Sequence, residues 1–235
     1  MAERLKDRFF SKKFIEELGE AIQQVYPDFD KTEFSRLVYA DDWEEKELKE
    51  RMYHITHSLH ATLPENYPLA LKNLTEVAPN FEGFDVMIFP DYVEKYGLDD
   101  WELSLPALAF FTTLCSSEFA IRPFLLKDPE KAVGYMYKWA RDEDFHLRRL
   151  ASEGCRPRLP WAKSLPAFKK DPTPILPIME TLKDDPVDYV RMSVANNLND
   201  ISKDHPDLVL YVCERWYGQS KNTDWIVKRA CRTML

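Results

Sequence analysis

The sequence predicts an all-α fold, a HEAT-like helical repeat solenoid in which paired helices stack into an α-α superhelix. Three observations lead there. Only 6 glycines occur in 235 residues, and no Asn-Gly or Asp-Gly hairpin turn is present. Apolar residues recur at helical spacing along most of the chain. Segments also repeat at the period of a helix pair. Prolines fall between the periodic segments, as expected of residues that helix interiors reject.

The first periodic element is SKKFIEELGEAIQQVYPDF, where Phe14, Ile15, Leu18, Ile22 and Val25 form one stripe. Acidic helices up to about Asn80 are expected to pack at one end. Segments 80–100 and 156–175 lack the repeat and read as longer connectors or short helices. Residues 100–235 hold the clearest repeats, and the whole of 1–235 reads as one repeat domain.

Three copies define the repeat: HLRRLAS from His146, YVRMSVA from Tyr189 and IVKRACR from Ile226. Their aliphatic residues Leu147, Val190 and Val227 are separated by 43 and 37 residues, a spacing that suits HEAT-type helix pairs. Each copy follows a polar or acidic start (DEDF, DDPVD, KNTDW). Fainter copies overlay LKERMYHITHSLHATLP on VRMSVANNLNDISKDHP, and KDPEKAVGYMYKW on DHPDLVLYVCERW. A stack of such pairs offers a groove wide enough for an extended polymer.

Charge is divided along the chain. The net charge is −8, yet from residue 146 onward there are 15 Lys+Arg against 11 Asp+Glu, with 17 against 29 before it. A basic half joined to an acidic one points to a localised anion-binding face. Cys115, Cys155, Cys213 and Cys231 form no C-x-x-C pair, so four reduced thiols are expected. The start, MAERLKDRFF, is too charged for a signal peptide. No apolar run approaches the roughly 20 residues of a membrane span. A soluble, cytoplasmic protein without membrane contact follows.

Several polar residues sit where a core would not want them. In RRLASEGCRPRLPWA, Arg149 and Glu153 share a helix face at i,i+4, Arg156 follows, Pro157 favours a helix end, and Arg158 and Trp161 lie in a proline-bracketed turn. The stretch reads either as a surface salt bridge with a packed tryptophan or as arginines for phosphates, a carboxylate for chemistry and an indole for stacking, since arginine suits bidentate phosphate contact and an indole attracts a cation. Asn196, Asn199, Asp200 and Lys203 recur on one helix face, although Asn and Asp compete for backbone hydrogen bonds in helix interiors. That face is either a solvated surface or a polar ligand surface. In SSEFAIRPF, Glu118 is either an i,i+4 partner of Arg122 or a second carboxylate facing the groove. His54, His57 and His60 recur at i+3, but there is no H-E-x-x-H and no companion cysteine, so no metal is expected.

The blocks SSEFAIRPF, RRLASEGCRPRLPWA, LPAFKKDPTPILPI and SVANNLNDISKDHPDLVL closely resemble the AlkC family of alkylpurine DNA glycosylases, and the resemblance covers nearly the whole chain. The block ASEG-x-RPRLPWA is specific, whereas a generic HEAT signature is not. The resemblance implies a helical solenoid related to AlkD and an enzyme that excises cationic N3-alkylated bases from double-stranded DNA, chiefly 3-methyladenine and also 3-methylcytosine. It implies Glu118, Glu153 and Asp200 as catalytic carboxylates, Arg149 and Arg156 as the site arginines, and Trp161 as the site tryptophan. Arg158, Asn196 and Lys203 join them as candidate DNA contacts. Some members of the family carry an immunoglobulin-like domain after the solenoid. With the sequence ending at Leu235, DNA affinity is expected to be weaker or supplied wholly by the solenoid.

The chemistry suits these residues. An N3-methylated base is already cationic and leaves readily, so the difficulty lies in the oxocarbenium-like sugar, which carboxylates stabilise. One carboxylate can also orient the attacking water. No lysine is placed for an obvious Schiff base, so the expected product is an abasic site without strand cleavage. No cofactor and no obligate protein partner are expected. The other readings are a non-catalytic HEAT scaffold that binds protein or damaged DNA and, more weakly, a metal-dependent enzyme using His54 and His57.

Overall fold

The computed structural model describes residues 8–40 and 42–234. The charged start read above therefore lies largely outside the described residues, as does Leu235. The described residues form α-helices and short 3-10 turns with no strand, as the sequence predicts. Among the described residues no helix is long and apolar enough to cross a membrane. The chain divides into two compact units, the first ending at Ala120 and the second beginning at Ile121.

The first unit contains α1 (Lys12–Val25), α2 (Lys31–Val38), α3 (Leu48–Thr62), α4 (Tyr67–Val77), α5 (Ile88–Tyr96) and α6 (Trp101–Leu114). Phe14, Ile15, Leu18 and Ile22 of the predicted stripe are buried, while Val25 at the helix end is half-buried. Helix starts are set by side chains: Ser11, Asp30, Asn66 and Asp100 each accept a backbone N–H of the turn they precede. Caps of this kind stabilise by about 1 kcal/mol each. One proline breaks the expected rule. Pro106 lies inside α6 but on its exposed face, where water can hydrate the carbonyl that loses its donor.

The second unit contains α7 (Arg122–Lys127), α8 (Pro129–Trp139), α9 (Phe145–Gly154), α10 (Pro166–Lys170), α11 (Leu176–Leu182), α12 (Asp188–Ile201), α13 (Pro206–Trp216) and α14 (Lys221–Ala230). The three repeat copies fall on α9, α12 and α14, and these pack side by side, α9 on α12 and α12 on α14. Their companions lie behind: α8 on α9, α11 on α9 and α12, α13 on α12 and α14. The position four after each repeat aliphatic, Ala151, Val194 and Cys231, is buried in every copy. Helices α8 and α13, overlaid by sequence, both begin at proline, end at tryptophan and span 11 residues. The segment 156–175 holds only the short α10 and a 3-10 turn, and 80–100 holds 3-10 turns and α5. All four cysteines are free thiols.

Candidate active site

The end of α9 and the facing turn of α12 gather most of the residues that the sequence singles out. Arg149 and Glu153 meet at 3.4 Å across one turn of α9. The helix stops at Gly154, and the chain folds back so that Arg156 donates from Nη1 to Glu153 Oε1 at 2.7 Å. The same guanidinium donates from Nε to Asp200 Oδ2 of α12 at 2.9 Å. Arg156 thus bridges two carboxylates contributed by neighbouring repeats. All three side chains are buried: Glu153 is 5% exposed, Asp200 3% and Arg156 8%. Burial alone would lower the Arg156 pKa, but the two carboxylates more than offset it and hold the guanidinium above its ordinary value. Lys203 completes the cluster with Nζ 3.4 Å from Asp200 Oδ1.

Both guanidiniums converge on Glu153 Oε1. No described residue donates a hydrogen bond to Oε2. The carboxylate is therefore held at Oε1 by two cations.

Close packing fixes the turn after α9. A Cβ at Gly154 would stand 2.7 Å from Ile121 Cγ2 and 3.0 Å from Met136 Cε, so only glycine fits. Arg122 then holds the exit of the helix. Its guanidinium, 2% exposed, donates to the carbonyls of Gly154 at 3.0 Å, Arg156 at 3.0 Å and Lys163 at 2.8 Å. A cation at these carbonyls also complements the negative end of α9. The Leu165 N–H closes the loop onto the Pro157 carbonyl at 3.0 Å. From the other side, Asn197 Nδ2 donates to the Ser152 carbonyl at 2.7 Å. Burial pushes the Cys155 thiol up to about 12, which removes it as a nucleophile.

Trp161 sits at the tip of that loop. It is 66% exposed and adopts φ 62°, a left-handed conformation that is unusual for a bulky side chain. Pro160 precedes it, and the Ala162 N–H bonds the Leu159 carbonyl at 3.3 Å. This is the pattern of a turn with proline second and a positive φ third, where glycine is usual. The backbone is strained at the residue that presents the indole, a feature that clusters at functional sites.

The other candidates are placed as follows. Arg158 forms a two-pronged pair with Asp204 at 2.7 and 3.3 Å. Asn196 accepts from Arg232 at 3.2 Å. The Arg149 guanidinium lies 4.7 Å over the Tyr189 ring. Glu118 belongs to the first unit, before α7 begins, and accepts from Ser116 Oγ at 2.9 Å. The histidines contact aromatic and backbone groups: His54 the Leu37 carbonyl, His57 the Tyr96 hydroxyl and His60 the Tyr92 hydroxyl. Among the described residues no group of three or more His, Cys, Asp or Glu side chains is placed to share a metal ion. Sequence reasoning missed Arg122 and Asn197 as the groups that hold the α9 exit. The Asn-Asn doublet on a repeat helix was the available signal for the second, and nothing local signalled the first.

A family model described as DNA alkylation repair enzyme matches residues 113–234, over half of the chain and all nine candidate residues. The chain belongs to the DNA alkylation repair enzyme family. The Bacillus subtilis (strain 168) protein YhaZ, uncharacterized, is 52% identical over 226 residues, 96% of this chain and 63% of that protein. The alkylpurine DNA glycosylase AlkC of Pseudomonas fluorescens, solved bound to DNA containing an abasic site analog, is 42% identical with a TM-score of 0.94, covering 100% of this chain and 65% of that one. The chain therefore spans slightly under two thirds of the length of both relatives, and over that span its helical-repeat fold is that of AlkC.

Proposed function

We propose that this member of the family is a DNA glycosylase that hydrolyses the N-glycosidic bond of cationic N3-alkylated bases, chiefly 3-methyladenine and also 3-methylcytosine, in double-stranded DNA. The observation that carries the reading is the buried Glu153–Arg156–Asp200 cluster, with the strained, exposed Trp161 on the loop that leaves it. A cationic base is a good leaving group without protonation. The barrier lies in positive charge developing on the sugar, which a fixed carboxylate stabilises best where it has no reorganisation to undergo. Arg149 and Arg156 would hold Glu153 in place rather than grip phosphate directly. Glu153 Oε2 faces the sugar cation or orients the attacking water. Trp161 would stack on the lesion or the exposed sugar. Glu118 enters on the resemblance alone, as a further carboxylate. Lys203 is paired with Asp200 rather than poised as a nucleophile, in keeping with hydrolysis to an abasic site.

The test is release of free 3-methyladenine and 3-methylcytosine from methylated duplex DNA, with the product strand analysed before and after alkali. The expected result is free base with strand breaks only after alkali. Breaks without alkali would overturn simple hydrolysis. Binding without base release would favour the non-catalytic scaffold.

A further inference from the structure

The third repeat ends in two arginines that differ from their neighbours. Arg148, Arg149, Arg156, Arg158 and Arg191 each meet a carboxylate. Arg229 and Arg232, at the C-terminal end of α14 and in the turn that follows, meet none among the described residues. Arg232 is exposed, and its guanidinium bonds neutral oxygens: Nη1 donates to the Arg229 carbonyl at 2.7 Å and Nη2 to Asn196 Oδ1 at 3.2 Å. Arg229 lies 5.7 Å over the Trp225 ring, and its Nε has no hydrogen-bond partner. Burial, then the repulsion of Arg229 and also of Arg156, lowers the Arg232 pKa against the pull of Asp200. Positive charge is thus in surplus beside the candidate active site.

The asparagines of α12 build this corner. Asn199 Nδ2 donates to the Ala230 carbonyl at 2.8 Å and to Thr233 Oγ1 at 2.7 Å, and it is 3% exposed. Asn196 receives Arg232 itself. These two asparagines of the polar face thus hold the turn that carries the arginine.

We propose that Arg229 and Arg232 form a phosphate-gripping pair for the backbone of double-stranded DNA, with Asn196 and Asn199 as positioning residues. The assignment rests on the glycosylase reading and extends it to a surface outside the carboxylate cluster. The ligand chemistry is a phosphodiester, and a polyanion fits better than a lone phosphate. The carbonyls at a helix C-terminus disfavour an isolated anion, whereas a polyanion spans several cations and releases counterions from each.

The experiment measures binding of undamaged duplex DNA by fluorescence anisotropy across salt concentration. It compares the full chain with Arg229→Gln, Arg232→Gln and Arg232→Lys, and circular dichroism checks that each is folded. Removing one arginine–phosphate interaction flattens the plot of log K against log salt by about 1, so each Gln variant should show that change and Arg232→Lys should keep the original slope. Inorganic phosphate titrated calorimetrically should show no saturable binding. Unchanged slopes in both Gln variants overturn the proposal even where the parent binds DNA well, and earlier melting with an unchanged slope would reduce the pair to helix capping. Saturable phosphate binding that Arg232→Gln abolishes would make this a small-phosphate site instead. A parent chain that binds no duplex at low salt would bring down the glycosylase reading, and this proposal with it.

Discussion

Replacing Arg156 by glutamine tests the architecture of the site on a physical scale. The guanidinium is 8% exposed and holds Glu153 at 2.7 Å and Asp200 at 2.9 Å. Its removal leaves two buried carboxylates whose remaining cations, Arg149 and Lys203, each stand 3.4 Å away. Breaking a buried pair from one side costs about 3–5 kcal/mol, because the surviving charge stays desolvated. The residual partners favour the lower end, about 3 kcal/mol. For a chain of this size that corresponds to a melting point lower by roughly 10 °C. Arg158→Gln is the internal control, since its pair with Asp204 is 34% and 26% exposed and is worth under about 1 kcal/mol. Urea denaturation of both variants reads the difference directly. Equal, small losses would refute the bridge and return Arg156 to a solvent-facing role.

Two further outcomes follow from local geometry. Trp161→Gly removes about 1–2 kcal/mol of left-handed strain and adds about 1 kcal/mol of unfolded-chain freedom. Stability should stay within about 1 kcal/mol while lesion-DNA affinity falls by the roughly 1–3 kcal/mol that a stacking platform supplies; a large stability loss in urea would mean that the indole is packed rather than presented. Burial raises the Asp91 carboxyl to about 7, against the opposing pull of Thr56 and of Lys95 and Lys49. The unfolded group titrates near 4, so the folded chain keeps a proton that the unfolded chain releases between about pH 4 and 7. Stability is therefore highest below about pH 4 as far as this group is concerned, and is lost as pH rises through 7, at about 1.4 kcal/mol per unit. Asp91→Asn should melt higher than the parent at pH 8 and flatten that part of the profile; an unchanged profile would contradict the burial argument.

Much of this is legible in the residues, and the failures have physical causes. The repeat helices α9, α12 and α14 are readable because period and caps are local. Arg149–Glu153 is readable because four residues of helix place side chains on one face. The Arg156–Asp200 bridge is not, since it joins residues 44 apart and depends on α9 packing against α12. Arg122 reads as a helical neighbour of Glu118, but the helix begins at Arg122 itself, and its guanidinium reaches carbonyls about 32 to 41 residues away. Chemistry alone assigns the arginines of RRLASEGCRPRLPWA to phosphate, whereas packing turns two of them onto Glu153. Pro106 shows the converse: an exposed helix face tolerates what the sequence rule forbids.

The central claim is that Glu153, held at Oε1 by two guanidiniums, stabilises the positive charge that develops on the sugar as the base departs. Its most direct test is the single-turnover rate of 3-methyladenine release from duplex DNA by the parent and by Glu153→Gln at low salt. The account predicts measurable release by the parent and a loss of at least about 100-fold in the variant, with duplex binding retained. Release by Glu153→Gln at the parental rate would contradict it.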